Sequence, residues 1–516
     1  MRRKSDQGDS TQPSQAHRLP LEFWGLLALS AAVRLPGIGR PLLGNFATKN
    51  VVYGMIARNW AEGNAPAWYP TLDCLVGGER SLHMVEFPVS AYLTGIAWWL
   101  TGGSLDVWGR LTAVVFSTLS VALIFLLVRR WHGQTVAWGA ALTLAVSPVS
   151  VIYGQSFMLE ASVVTLTLAA IYSLERWLDA QRLGWLMLFA VSLGLLLLSK
   201  IYMLVLLLPL AALAYRRSSE IEGSRRVGRA LTLAVAILLS SLPAAVWYYD
   251  AMRISDADSG LSHRLFYSVR QSSEVHRWPH PLLFDAAFYR ELLIDLCTVT
   301  LTPVGFVLLL CGFLNPTWRR GLPWLIGMAV LVIALPLKFH EMNYYYVVVL
   351  PPLCVLTGLG WEWIQTRARL NAMPTAALVS LALAFSLRYS FKPAFVTPLE
   401  DRGVVAAGRA MQALAGSEEP VVTMHGSTID LLYYCNRPGW ALPPGSRSLE
   451  GKLAEYADQG ARYLAVANLD QLSKYPAVGE VLKSLPVARS GEDFRIYRLA
   501  GGGEKARDSS PQANPR

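Results

Sequence analysis

Long apolar runs in this chain alternate with loops, and every second loop carries paired arginines. Arg129-Arg130, Arg176 with Arg182, Arg216-Arg217 with Arg225-Arg226, Arg319-Arg320 and Arg367 with Arg369 keep to this alternation, which Arg2, Arg3 and Lys4 begin. Lys and Arg collect in the cytoplasmic loops beside membrane-spanning helices, so the pattern orients the whole chain. It sends the remaining loops, and the region after the last span, to the outer face of the membrane. Chemistry is expected there.

Composition agrees. Of 516 residues, 53% are hydrophobic and only 16% charged, and the mean hydropathy is positive, as in an integral membrane protein. The net charge of +10 does not argue for a nucleic-acid partner, because so many of the basic residues sit in inner loops. The cysteines have no metal-type spacing. Cys297, Cys311 and Cys354 lie in or beside apolar runs and read as packing residues, while Cys74 and Cys435 fall on the outer side without further support for a disulfide. Leu19 to Val33 reads as an uncleaved first helix rather than a signal peptide, since so many spans follow it.

The spans are expected at roughly 19–37, 109–128, 135–152, 161–176, 184–199 and 201–215. They continue at roughly 229–247, 293–314, 321–338, 344–362 and 373–389. The fold class is thus a mainly α polytopic membrane protein of about eleven transmembrane helices, with a small C-terminal α/β domain on the outer face. An odd count with a cytoplasmic start leaves the C-terminus outside. The apolar run Pro88 to Gly102 is short for a span, and a crossing there would move every later Arg-rich loop to the wrong face. Its expected place is therefore along the outer surface, which suits Trp68, Trp98, Trp99 and Trp108. A genuine short span is the alternative.

The organisation that follows is a cytoplasmic tail over 1–18, a transmembrane domain over 19–390 with an outer first loop at 38–108, an outer α/β domain over 391–500, and a disordered tail over 501–516. In the first loop Ala47 to Glu62 reads as an amphipathic helix, with Val52, Met55, Ile56 and Trp60 near one face. A second outer loop, 248–292, holds Tyr248, Tyr249, Asp250, His263, Arg270, His276 and His280, whose histidines lack the close spacing of a metal site. After the last span, Arg402–Leu414 and Leu449–Gln459 read as helices. Val421–Met424, Arg462–Ala467 and Asp493–Leu499 read as strands of a domain long enough to fold alone.

Three ionisable groups stand close to the outer surface. Glu86 enters the interfacial helix next to Pro88, which fixes the local backbone. Glu160 stands at the outer end of a span, where a carboxylate is costly unless paired or functional, or favoured by the helix dipole. Lys200 lies between two apolar runs, where snorkelling to the interface is the plain explanation. Lys338-Phe339-His340-Glu341-Met342-Asn343-Tyr344-Tyr345-Tyr346 adds polar and aromatic groups at another outer turn. Together these suggest a cavity for an anionic, partly lipidic ligand. No internal repeat, P-loop or helix-opening G-x-G-x-x-G occurs, which disfavours nucleotide-driven chemistry.

These residues carry a resemblance. Tyr53-Gly54-Met55-Ile56-Ala57-Arg58-Asn59-Trp60, then Glu86-Phe87-Pro88, then Met158-Leu159-Glu160, resemble the integral-membrane glycosyltransferases of superfamily C. The nearest groups are the protein O-mannosyltransferase-like and lipid A aminoarabinose transferase-like enzymes. The likeness is strongest over the first third of the chain and returns at His340 to Tyr346. It implies transfer of a sugar from a polyprenyl-phosphate donor to a lipid, glycan or protein acceptor, at the outer face of the cell (inner or plasma) membrane. It also implies a base for the acceptor, with cationic groups or a divalent metal for the leaving phosphate. Glu86 and Glu160 are carried over as catalytic, and Lys200 as the lysine that meets phosphate. Lys49, Asn50, Tyr53, Arg58, His83, His340 and Tyr345 are taken as substrate-binding.

One departure stands out. Such enzymes usually have an acid just before the Tyr–Ala–Arg helix, often as Asp-Glu, but Ala47-Thr48-Lys49-Asn50-Val51-Val52 contains none. Either Glu86 or Glu160 supplies the base, or the chain belongs to a divergent subgroup, or it is inactive. The rival readings are a non-catalytic glycolipid-binding homologue and a lipid or solute transporter. A transporter should show charges in mid-span or paired broken helices, whereas here most lie at the outer ends.

Overall fold

The computed structural model describes residues 20–219, 223–256, 265–268, 277–368, 372–426 and 428–499. The expected tails at 1–18 and 501–516, and His263, Arg270, His276 and Arg369, lie outside the described residues. The chain begins with α1 (Leu21–Ala32), α2 (Ala47–Ala61), α3 (Val89–Thr101), α4 (Leu105–His132), α5 (Gln134–Val146), α6 (Pro148–Tyr153), α7 (Glu160–Ala180) and α8 (Leu183–Ser199). It continues through α9 (Leu207–Ser218), α10 (Ser224–Ser255), α11 (Ala286–Asp295), α12 (Thr302–Gly312), α13 (Leu322–Ala334), α14 (Pro336–Glu341), α15 (Tyr345–Ala368) and α16 (Ala372–Phe395). The last helices are α17 (Val404–Gln412), α18 (Asp430–Cys435), α19 (Leu449–Asp458) and α20 (Pro476–Ser484).

Among the described residues five helices are long and apolar enough to cross a bilayer, or six if a pair bent by 110° between Ala286–Thr300 and Thr302–Gly312 counts as one. The expectation was eleven. Several expected spans are built as shorter apolar helices, including Leu21–Ala32, Gln134–Val146 and Leu183–Ser199. Backbone breakers explain two of the differences, at the expected spans 135–152 and 293–314. Pro148 restricts Ser147 to extended backbone and ends α5. Thr302 takes a left-handed conformation (φ 64°) ahead of Pro303, which turns the chain sharply. Apolar sequence continues across both breaks, so hydropathy alone runs through them.

The helices pack through small residues. A Cβ on Gly312 would collide with the Leu356 carbonyl, one on Gly360 with Leu308 and one on Gly358 with Val136. These glycines therefore let α12, α15 and α5 touch backbone to backbone, as membrane helices do without a hydrophobic drive between them. At one end of the bundle the arginine loops meet. Arg216 donates to the Arg320 carbonyl (2.8 Å), Arg320 to that of Trp131 (3.4 Å), Arg217 pairs with Glu175 (2.9 Å), and Arg130 pairs with Asp179.

The rest is a mixed sheet. Its strands are β1 (Thr71–Val76), β2 (Glu79–Met84), β3 (Leu265–Ser268), β4 (Val421–Met424), β5 (Gly439–Ala441), β6 (Tyr463–Ala467), β7 (Val487–Ser490) and β8 (Phe494–Arg498). They run in the order β3-β2-β1-β5-β4-β6-β8-β7. The first-loop hairpin β1–β2 joins the C-terminal strands through a parallel contact of Cys74 with Gly439. The sheet thus does not stop at the expected boundary near residue 391. Cys74 and Cys435 are free, buried thiols.

Helix α2 differs from expectation in kind. It forms where expected, but nearly every residue from Ala47 to Asn59 is buried, so it has no wet face. One side is covered by α3, where Gly95 sits against the Ala57 carbonyl and Trp60, and another by α18, where Gly54 sits against the Tyr433 ring. Helix α3 itself is 13 residues long, ~20 Å against the ~30 Å of a hydrocarbon core. It exposes Leu93, Ile96, Trp99 and Leu100 while burying Ala91, Tyr92 and Gly95.

Candidate active site

Glu86 sits in the short link between β2 and α3, and the Phe87 amide donates to the Leu198 carbonyl (3.2 Å) at the end of α8. That contact brings Glu86 to Lys200, which follows α8 and is 1% exposed. Lys200 pairs with Glu86 Oε1 and lies 3.4 Å from Glu160 Oε1. Lys49, from the first turn of α2, reaches the same two oxygens at 3.5 and 3.4 Å. The Tyr53 hydroxyl, one turn further along α2, donates to Glu86 Oε2. Two lysines and two glutamates thus form one neutral cluster. The remaining Glu160 oxygen, Oε2, is buried without a hydrogen-bond partner, at the N-terminus of α7 where the helix dipole favours negative charge.

Burial alone would raise the Glu86 carboxyl, but Lys200, Lys49 and the hydrogen bonds from Lys200 and Tyr53 outweigh it and hold Glu86 below the usual carboxylate range. Aromatic rings enclose the lysines. Lys49 lies 4.2 Å from the Tyr344 ring centre, and Lys200 lies within 5.9 Å of those of Tyr202, Tyr344 and Tyr345.

The cluster borders a cavity of about 710 Å³, in the usual range for a ligand site. Lys49, Lys200, Lys338, Glu86 and His83 line it, with Val52, Ile201, Leu335, Met342 and Tyr345 as apolar wall. Burial lowers the His83 imidazole to about 4, so it is neutral at physiological pH. A further part of the wall comes from the C-terminal segment: Asp401, His425 and Asp430. One ligand atom of each lies within 4.8 Å of the others. Because α8 (Leu183–Ser199) is flanked by Arg182 at one end and Lys200 at the other, the cavity and the arginine loops occupy opposite ends of the bundle.

Not every expected site residue reaches the cavity. Lys49, Glu86, His83, Lys200 and Tyr345 line it, whereas Glu160 and Tyr53 stand behind the lining and hold its charges. Asn50 is turned inward and donates to the Phe46 carbonyl (2.9 Å). Arg58 points away toward β1 and pairs with Asp73 at 2.5 Å, because it lies half a turn out of phase with Lys49 at ~100° per residue. His340 is likewise out of phase with the cavity-lining Lys338 on α14, and pairs with Glu291 at 2.8 Å. Sequence reasoning missed Asp401, His425 and Asp430, which are scattered over three elements and carry no motif.

A divalent ion, the alternative to cationic groups, does not fit between Glu86 and Glu160. Both carboxylates already face two ammonium groups that would repel it.

The sequence profile of the family described as dolichyl-phosphate-mannose-protein mannosyltransferase matches residues 86–247, which span Glu86, Glu160 and Lys200. No curated protein sequence matches the chain. In three dimensions the chain is similar to ArnT from Cupriavidus metallidurans bound to undecaprenyl phosphate, with TM-score 0.61 and 13% identity over 93% of this chain and 98% of that one. It is also similar to the oligosaccharyltransferase AglB from Archaeoglobus fulgidus, in complex with an inhibitory peptide and a dolichol-phosphate. There the TM-score is 0.53 and the identity 13%, over 93% of this chain and 74% of that one. The arabinofuranosyltransferase AftD from Mycobacteria gives 0.54 and 13%, over 93% of this chain and 40% of that one.

Proposed function

We propose, from the premise that this multi-pass membrane chain has the fold of the superfamily-C membrane glycosyltransferases, that it moves a sugar from a polyprenyl-phosphate carrier to an envelope acceptor at the outer membrane face. The observation that carries this reading is the cavity, where Lys49, Lys200 and Lys338 line one space with apolar side chains. A lipid-linked phosphate needs both, cations for its charge and apolar wall for its chain. The arginine loops at the opposite end of the bundle support the outer face. That one solved relative holds undecaprenyl phosphate and another a dolichol-phosphate supports the carrier.

In the reaction an acceptor hydroxyl or amine attacks the anomeric carbon, the bond from that carbon to the phosphate oxygen breaks, and polyprenyl phosphate leaves. The lysines hold the departing charge. Glu86 takes the acceptor proton, and Glu160, behind the lining, pairs with Lys49 and Lys200 and holds them in place. Glu86 free of donor is a weak base, because both lysines hold its carboxylate ionised. A donor phosphate competes for those lysines, releases Glu86 and raises its proton affinity when the acceptor needs a base.

The test is transfer by purified protein in lipid or detergent, supplied with a polyprenyl-phosphate sugar or with the matching nucleotide sugar. Turnover is expected only with the lipid carrier. Equal turnover of the nucleotide sugar without any lipid carrier overturns the reading.

A further inference from the structure

We propose that Asp401, His425 and Asp430 form a divalent-metal site in the part of the cavity walled by the C-terminal segment. The three come from separate elements. Asp401 ends the turn that follows the last helix of the bundle, His425 comes directly after β4, and Asp430 opens α18. Their ligand atoms converge within 4.8 Å, with His425 Nε2 3.4 Å from Asp401 Oδ1. All three line the cavity, so an ion there would keep coordination positions open to oxygen ligands inside it.

Two observations beyond convergence point to a cation. Among the described residues no lysine or arginine forms an ion pair with either carboxylate, although Asp430 is 2% exposed and the side chain of the half-buried Asp401 is 8% exposed. Buried carboxylates are ordinarily paired or bound to metal. His425 is itself 6% exposed, and its Nδ1 has no hydrogen-bond partner. The anchoring bonds are those of neutral groups. The Gly44 amide donates to Asp401 Oδ2 (2.8 Å), and the Thr48 hydroxyl donates to Asp430 Oδ1 (3.2 Å). Such donors orient carboxylates without neutralising them, as outer partners of metal ligands do. One imidazole with two carboxylates is a donor set for Zn²⁺ or Mn²⁺. The site differs from the Glu86–Glu160 cluster, whose charge Lys49 and Lys200 already balance.

Metal binding is read directly and needs no transferase activity. Tag-free full-length protein in detergent is stripped with chelator, dialysed against Zn²⁺ or Mn²⁺, and its bound metal counted. About one equivalent is expected, with His425→Ala and Asp430→Asn each weakening binding by about tenfold or more. Glu86→Gln should bind metal like the wild type. If His425→Ala does not fold, Asp430→Asn, which keeps the side-chain size, decides. Absence of stoichiometric binding overturns the site and would leave His425 and Asp401 as a metal-free acid–base pair. Binding unaffected by the ligand variants, or lost in Glu86→Gln, overturns it as well.

Discussion

Replacing Glu86 by Gln separates the two parts proposed for its carboxylate, proton acceptor and resting partner of the lysines. The side chain keeps its size and much of its hydrogen bonding but loses its charge. Lys49 lies 3.5 Å from Glu86, an attraction of roughly 5 kcal/mol at an effective permittivity of about 20, before desolvation is subtracted. If a third of that were released to an incoming phosphate, carrier binding would tighten by about tenfold. Turnover should move the other way, falling by about 10²–10⁴-fold as expected for loss of a positioned base. Glu160 stays 3.4 Å from both lysines, so the cluster keeps one anion and the protein should remain folded. The assay pairs transfer rates with direct binding of polyprenyl phosphate, followed by tryptophan fluorescence or thermal shift. Transfer at the wild-type rate, or carrier binding weakened by tenfold, would refute the reasoning.

The same competition sets a pH signature. A base acts only when ionised, so activity falls as pH drops through its pKa. With Glu86 held below the usual carboxylate range in the free protein, the acid limb of kcat/KM should lie at lower pH than that of kcat, and coincident limbs would contradict donor-driven release. Gly54→Ala would place a Cβ 2.7 Å from the Tyr433 ring, which Asp106 fixes through a 2.6 Å hydrogen bond. A loss of about 1–3 kcal/mol is expected, read as a lower melting temperature, and an unchanged one would show that α2 and α18 do not pack as described. A single cysteine in place of Glu450 should react with an impermeant reagent in intact cells, and labelling only after permeabilisation would reverse the orientation.

The bundle was legible in the sequence where chemistry is one-dimensional. Paired arginines and apolar runs are local signals, and Arg130, Arg216, Arg217 and Arg320 do gather at one end. Glu86, Glu160 and Lys200 stood out in the sequence as charges beside apolar runs, Lys49 entered only through the family resemblance, and the structure brings the four together. Helix phase decided what failed. Arg58 and His340 looked equivalent to their neighbours in sequence, yet half a turn carries each to another partner. Lys49 appeared as a missing acid, and only its two ion pairs show that it balances Glu86 and Glu160. Asp401, His425 and Asp430 left no local trace, since their convergence depends on how the turn at Asp401, β4 and α18 fold against one another.

The docking of the C-terminal strands on the first loop governs how the protein comes into being. Strand β1 is made early, but its neighbour β5 lies more than three hundred residues downstream, at Gly439–Ala441. Until the last part of the chain is synthesised, the Cys74 edge has no strand to pair with, and Gly54 has no Tyr433 against it. The cavity therefore cannot acquire its full wall while the helices are still being inserted. A chain cut short after its final hydrophobic helix would leave an open strand edge beside the lysines, an aggregation hazard and a natural mark for quality-control proteases.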